Sequence, residues 1–236
     1  MQSKENKPKT IKTKVQKDDN KIECATDNDK KKNDNQLKKE SKTKTIKSET
    51  ELIKVYQVAV NYDKSITDFN KESNCKMRKI GIQEIISENA IKFFIKNHLK
   101  KECHNALIGD LVVKENNNYS KIECKCFTSN GPISFGPTEK WDKLIFLDSR
   151  KWLDNQFIII EVNLSNTDKN WKEIIFNKNE NETYESKCKK GVRPRMNWYA
   201  LEKILDQPNL KENKKILYSG TFENMIKLTQ PNSLEI

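Results

Sequence analysis

The sequence predicts an α/β (α+β) domain, a mixed β-sheet of four or five strands flanked by helices, behind a disordered basic N-terminal tail. Three observations carry that prediction. Composition changes near residue 50, one long segment repeats its apolar residues with a helical period, and several short apolar runs are bounded by turn residues.

Residues 1–50 hold 15 Lys against 9 acidic residues, which is +6 of the chain's net +11. With very few large apolar side chains, this segment cannot offset its ordering entropy by burial and is expected to be disordered. Its Lys30-Lys31-Lys32 reads as a nuclear import signal, a loose DNA arm or plain solvated charge. Residues 51–236 hold all four Trp and are assigned to one domain with a sizeable core. The remaining +5 keeps that domain basic as well, which favours polyanion partners, nucleic acid before membrane. There is no run of about 18 apolar residues and no apolar segment after Met1. An intracellular setting, cytoplasm or nucleus, is therefore expected. The six Cys do not form a disulfide framework in this reading, since Cys24 lies in the tail and a domain of this size needs no staples.

Order is expected to begin near Glu51. Leu52 to Val60 reads as a first strand or short packed element, and residues 61–78 as a polar connection. From Ile82 the apolar positions Ile85, Ile86, Ala90, Phe93, Phe94 and Leu99 fall on one stripe, predicting an amphipathic helix to about Lys100. Ala106 to Val113 and Lys121 to Phe127, separated by Asn116-Asn117-Asn118, predict a β-hairpin. A loop rich in Gly and Pro follows from Gly131 to Pro137. A short apolar run (Leu144 to Leu147), a buried strand (Phe157 to Val162), a helix (Trp198 to Leu205), a last strand (Lys215 to Ser219) and a ragged end complete the chain.

Chemistry concentrates on the hairpin. Residues two apart on a strand share a face, so Lys121, Glu123 and Lys125 point one way and Ile122, Cys124 and Cys126 the other. Pairing of the two strands would bring Asp110 beside Glu123. Two carboxylates offer hard oxygen ligands for Mg²⁺, and a neighbouring lysine can orient or deprotonate water and stabilise a developing anion. That set suits phosphodiester hydrolysis, although a surface salt bridge is the plain alternative for an acidic–X–basic triplet. Asp110 favours the former, because it interrupts an apolar run where an unpaired carboxylate is costly.

The pattern Asp110…Glu123-Cys124-Lys125, following a helix that bears Glu88, resembles the Asp…Glu-Xaa-Lys signature of the PD-(D/E)XK nuclease superfamily. Gly109 stands where the family often has proline. The stretch Ile122 to Phe127, the loop Gly131 to Asp142 and the downstream Arg193-Pro194-Arg195 resemble type II restriction endonucleases, including those of large DNA viruses. The resemblance covers roughly residues 80–200. It implies a restriction-endonuclease-like fold in which Asp110 and Glu123 bind Mg²⁺ with the Cys124 carbonyl, and Lys125 is the catalytic lysine. Glu88 is either a further acid of the metal site or a solvent-facing helix charge.

DNA contacts are expected from two segments. Lys140 follows the Gly/Pro loop, which is read either as a backbone path into a DNA groove or as a tight connection packed by Phe135 and Trp141. Lys189 and Lys190 are assigned to phosphates, and Arg193 and Arg195 to bases or phosphates, because guanidinium can contact guanine bidentately. A solvated basic loop is the alternative. A structural zinc on Cys103-His104 and Cys124-X-Cys126 is disfavoured by the spacing. The expected function is Mg²⁺-dependent cleavage of double-stranded DNA at a short, palindromic sequence by a homodimer, with a cognate DNA methyltransferase as a possible partner. The rivals are a repair or recombination nuclease that reads DNA structure and a non-catalytic DNA-binding protein.

Overall fold

The computed structural model describes residues 46–106, 110–177 and 181–227. The expected tail lies outside the described residues except for 46–50, as do Gly109 and the chain end after residue 227. The first ordered element corrects the sequence reading. Residues 52–60 form neither a strand nor a short element, and 61–72 are not a connection. Both belong to helix α1, Glu49–Glu72. Its buried residues, Leu52, Tyr56, Ala59, Asp63 and Ile66, recur every three or four positions and run through the polar half. The β-branched content of 52–60 favours a strand locally, but the buried positions follow the helical period across the whole of 49–72. Ser48 caps the N-terminus by accepting from the Glu51 N–H at 3.1 Å, and the Glu51 carboxylate accepts from the Lys47 N–H at 2.8 Å.

Helix α2, Glu84–Asn97, follows as predicted. The connection before it is tied down by Asp63, whose carboxylate accepts from the N–H groups of Ile80 (3.0 Å) and Gly81 (3.2 Å). Gly81 holds φ +66°, a conformation that side chains disfavour.

Among the described residues six strands, more than the four or five expected, build the main sheet: β1 (Cys103–Asn105), β2 (Leu111–Glu115), β3 (Asn118–Phe127), β5 (Lys143–Lys151), β6 (Gln156–Val162) and β10 (Lys214–Gly220), in the spatial order β1-β2-β3-β5-β6-β10. All neighbours are antiparallel except β3 and β5, so the sheet is mixed. β2 and β3 form the predicted hairpin around Asn116-Asn117, with Asn116 at φ +56°, a value asparagine tolerates better than most residues. The arms differ from their prediction in bounds: the first runs from Leu111 to Glu115, the second begins at Asn118 instead of Lys121, a separate strand precedes them, and residues 107–109 of the predicted first arm lie outside the described residues.

Two cores flank the sheet. On one face α1, α2 and a short final helix α6 (Phe222–Ile226) pack Tyr56, Phe94, Ile145, Phe157 and Phe222 together. Tyr56 stacks on Phe222 at 4.0 Å and donates to the Trp152 carbonyl at 2.8 Å. α6 replaces the ragged end expected for this stretch, because Phe222, Met225 and Ile226 are all buried. On the other face Phe135, Trp141, Phe146, Trp171, Tyr184 and Trp198 form an aromatic core. Here the remaining small elements gather: β4 (Pro132–Ser134), α3 (Lys169–Lys172), β7 (Ile175–Asn177), β8 (Glu182–Thr183), α4 (Tyr184–Lys189), β9 (Arg195–Asn197) and α5 (Trp198–Leu205). Among the described residues no helix is long and apolar enough to cross a membrane.

Candidate active site

The hairpin register places the first residues of the site. β2 pairs with β3 as far as Leu111 opposite Ile122, and one further step sets Asp110 against Glu123. N–H groups along β3 face β2 and β5 alternately. The Cys124 N–H faces the β2 side, where the paired strand has just ended, and Asp110 Oδ2 accepts it at 2.7 Å. Asp142 performs the same service on the other edge, accepting from the Lys121 N–H at 2.8 Å before β5 begins. Asp110 thus completes a broken ladder, which explains how a carboxylate is tolerated beside an apolar run.

Glu123 and Lys125 lie on the same face of β3, as the alternation predicts. Glu123 is only 3% exposed. Lys125 Nζ donates to Glu123 Oε1 and lies 3.7 Å from Glu139 Oε2. Burial pushes the Glu123 carboxyl up and the charge of Asp110 adds to it, with Lys125 opposing both. Asp110 is likewise raised by burial, against the pull of the Cys124 N–H and Lys125. Burial alone would lower Lys125, but Glu123, Glu139 and Asp110 together hold it above its ordinary value. Lys125 is therefore a cation at neutral pH, which fits an orienting and charge-stabilising group better than a resting base.

Glu88 is not a solvent-facing helix charge. It is 6% exposed on α2, and ligand oxygens of Glu84, Glu88 and Asp110 all lie within 4.8 Å of one another. Sequence reasoning passed over Glu84, although it sits one helical turn before Glu88 and shares its face. It also left Glu139 without a role. The available signal was Gly136, three residues earlier, whose N–H donates to Glu139 Oε2 at 2.7 Å.

The two segments expected to touch DNA are joined. The Gly/Pro loop contains β4, which pairs antiparallel with β9 so that Ser134 lies opposite Arg195, and the Phe135 N–H donates to the Pro194 carbonyl at 3.0 Å. Phe135 and Trp141 are buried beside Trp171, giving the loop the packing role considered from the sequence, while Lys140 stays exposed. Arg193 and Arg195 are exposed, and neither makes an ion pair among the described residues. Lys189 and Lys190 differ from them: Lys189 lies 3.3 Å from Glu185 and Lys190 2.7 Å from Glu182.

A family model of the Bsp6I restriction endonuclease matches residues 47–206, a span that runs from α1 to α5 and includes every residue named for the site. The chain belongs to the Bsp6I restriction endonuclease family. No curated protein and no solved structure matches it. Family membership makes the chain a restriction-type nuclease, in agreement with the resemblance to type II restriction endonucleases.

Nucleases of the Bsp6I kind can be tested for a fit to divalent metal through their donors. Here the donors are carboxylate oxygens, the class that hard cations prefer. Asp110 is common to the pair with Glu123 and to the cluster with Glu84 and Glu88. A strand residue presents its N–H and C=O to the same side, so the Cys124 carbonyl opens toward the gap filled by Asp110. Several acids crowd together with one lysine: burial raises the Glu123 and Asp110 carboxyls, and the neighbouring carboxylates add to that rise. The residues fit a small, hard divalent cation.

Proposed function

We propose that the chain is a type II restriction endonuclease of the PD-(D/E)XK kind, hydrolysing phosphodiester bonds of double-stranded DNA at a short specific sequence with Mg²⁺. The observation that carries this reading is the convergence of Asp110, Glu123 and Lys125 on the open end of the β2–β3 ladder, in a Bsp6I-family chain. Asp110, Glu123 and the Cys124 carbonyl would hold the metal, with Glu88 as a further acid. Bound there, the cation supplies a water of lowered pKa and offsets charge on the phosphate. Lys125, kept protonated by its carboxylate neighbours, orients the attacking water and stabilises the charge that develops on phosphate oxygen.

Readout is assigned to the β4–β9 ribbon and its flanks. Arg193 and Arg195, exposed and without an ion pair among the described residues, suit bidentate contacts to guanine or phosphate. Lys140 suits a phosphate. Lys189 and Lys190 would first exchange Glu185 and Glu182 for phosphate, so their contribution is electrostatic and salt-sensitive. One such site cuts one strand, and a palindromic target matches two-fold protein symmetry, so the active species is a homodimer. Restriction also requires that the owner's DNA be protected, which implies a cognate methyltransferase.

Incubation of the purified chain with unmethylated plasmid and Mg²⁺, followed by sequencing of the fragment ends, tests the proposal. Ends at one motif are expected. Cuts gathered at junctions or DNA ends would instead indicate a structure-reading repair nuclease, and intact plasmid would remove the enzymatic reading.

A further inference from the structure

We propose that Glu139 is a positioning residue for Lys125, and that residue 136 is glycine so that the Glu139 side chain can take up this role. The inference rests on the nuclease reading above and adds to it a residue that neither the catalytic signature nor the DNA-facing segments supply. Lys125 has two carboxylate neighbours on its ammonium, Glu123 and Glu139. Glu123 is also a proposed metal ligand, so its oxygens are shared between two cations when the site is loaded. Glu139 has no such second demand. Its Oε2 sits 3.7 Å from Lys125 Nζ and is anchored by the Gly136 N–H at 2.7 Å. Its backbone carbonyl is held in turn by the Asn166 side-chain amide, at 2.5 Å. The carboxylate is therefore fixed from both ends before it meets the lysine.

Gly136 records the same arrangement in its geometry. A Cβ at this position would fall 2.0 Å from the Glu139 carboxyl carbon and 2.0 Å from Oε1. Gly136 does not have positive φ, so backbone conformation does not demand glycine here. The demand comes from the carboxylate folded across it. Since the clashing atoms are the far end of a flexible side chain, an alanine at 136 would displace Glu139 rather than the loop backbone.

This contact also ties catalysis to readout. Glu139 and Gly136 follow β4 directly, and β4 is hydrogen-bonded to β9, which carries Arg195. The Phe135 N–H to Pro194 carbonyl bond extends the ribbon to the residue before Gly136.

The test is a double-mutant cycle on the full-length chain, with two readouts: the single-turnover cleavage rate at saturating DNA with Mg²⁺, and DNA affinity measured with Ca²⁺ in its place. Glu139→Ala is expected to lower the rate by about 100-fold, the scale of a misplaced catalytic group, with affinity unchanged. Glu139→Gln, which keeps an acceptor for the Gly136 N–H, recovers part of the rate. Gly136→Ala lowers the rate as Glu139→Ala does, and adds nothing in the Glu139→Ala background. Wild-type rates for Glu139→Ala, or losses at 136 and 139 that multiply, would overturn the proposal while leaving the nuclease reading in place. A wild-type chain that leaves DNA intact would overturn the nuclease reading and this inference with it.

Discussion

Lys125 lies between carboxylates that raise its pKa and keep it charged, so under the proposed mechanism its removal takes away a cation where the reaction generates negative charge. Lys125→Ala is expected to lower the cleavage rate by about 10²–10³-fold, the range seen for loss of one electrostatic stabiliser. Wild-type cleavage in that variant, measured on plasmid with Mg²⁺, would dismiss the assignment. A different glutamate sets a pH dependence of stability. Burial works to raise Glu115, but hydrogen bonds from Lys101 and Lys143 (2.7 and 2.9 Å) prevail and lower it from 4.5 to about 2. A depressed folded-state pKa contributes stability that is complete above the ordinary carboxylate range and is lost as pH falls from there toward 2. Glu115→Gln should therefore destabilise at neutral pH by no more than about 1 kcal/mol, since these groups are partly solvated. Denaturant titrations should show the wild-type advantage shrinking as pH drops below about 4.5. An advantage that is constant down to pH 3 would contradict the pairing.

At the scale of elements, α1 is positioned by polar contacts as well as by its apolar stripe. Asp63 is 1% exposed and accepts from two backbone N–H groups, those of Ile80 and Gly81. Asp63→Ala would leave both donors without that acceptor and is expected to cost about 2–3 kcal/mol, measurable by chemical denaturation. Because this contact sets the chain's approach to α2, and α2 carries Glu84 and Glu88, the same variant should also reduce cleavage. Stability within error of wild type would show that water replaces the carboxylate. The β4–β9 ribbon makes the contrasting case. It is two short strands, and Phe135, next to β4, packs edge-on against Trp171 at 5.3 Å. Burial of such aromatic side chains stabilises by roughly 1.5–3 kcal/mol each.

The molecule as a whole carries +11, and non-specific attraction to DNA follows from that charge irrespective of the site. Under the proposed reading, specificity is assigned to the exposed guanidiniums of Arg193 and Arg195. Arg193→Ala and Arg195→Ala should each relax discrimination against a mismatched target by about 1–3 kcal/mol if they read bases. Competition between cognate and mismatched duplexes at fixed salt measures this. Equal losses on both duplexes would reassign the two arginines to phosphate.

Periodicity and spacing carried a large part of this protein. The α2 stripe, the β2–β3 hairpin, the Phe157–Val162 strand and the Trp198–Leu205 helix were all legible because each depends on neighbours within a few residues. So was the shared face of Glu123 and Lys125, a direct result of strand alternation. The identity of α1 was misread: the strand-like run 52–60 set the local reading, and the capping signature Ser48-Glu49-Thr50-Glu51 before it went unread. Tertiary structure alone decided the rest. Glu84 joins Glu88 and Asp110 because α2 packs on the sheet, and Glu139 reaches Lys125 because the loop after β4 folds back across it. The two segments proposed to face DNA, some sixty residues apart, meet because β4 pairs with β9. Contacts of that span are set by which surfaces bury each other, and a pattern confined to one segment carries no record of its partner.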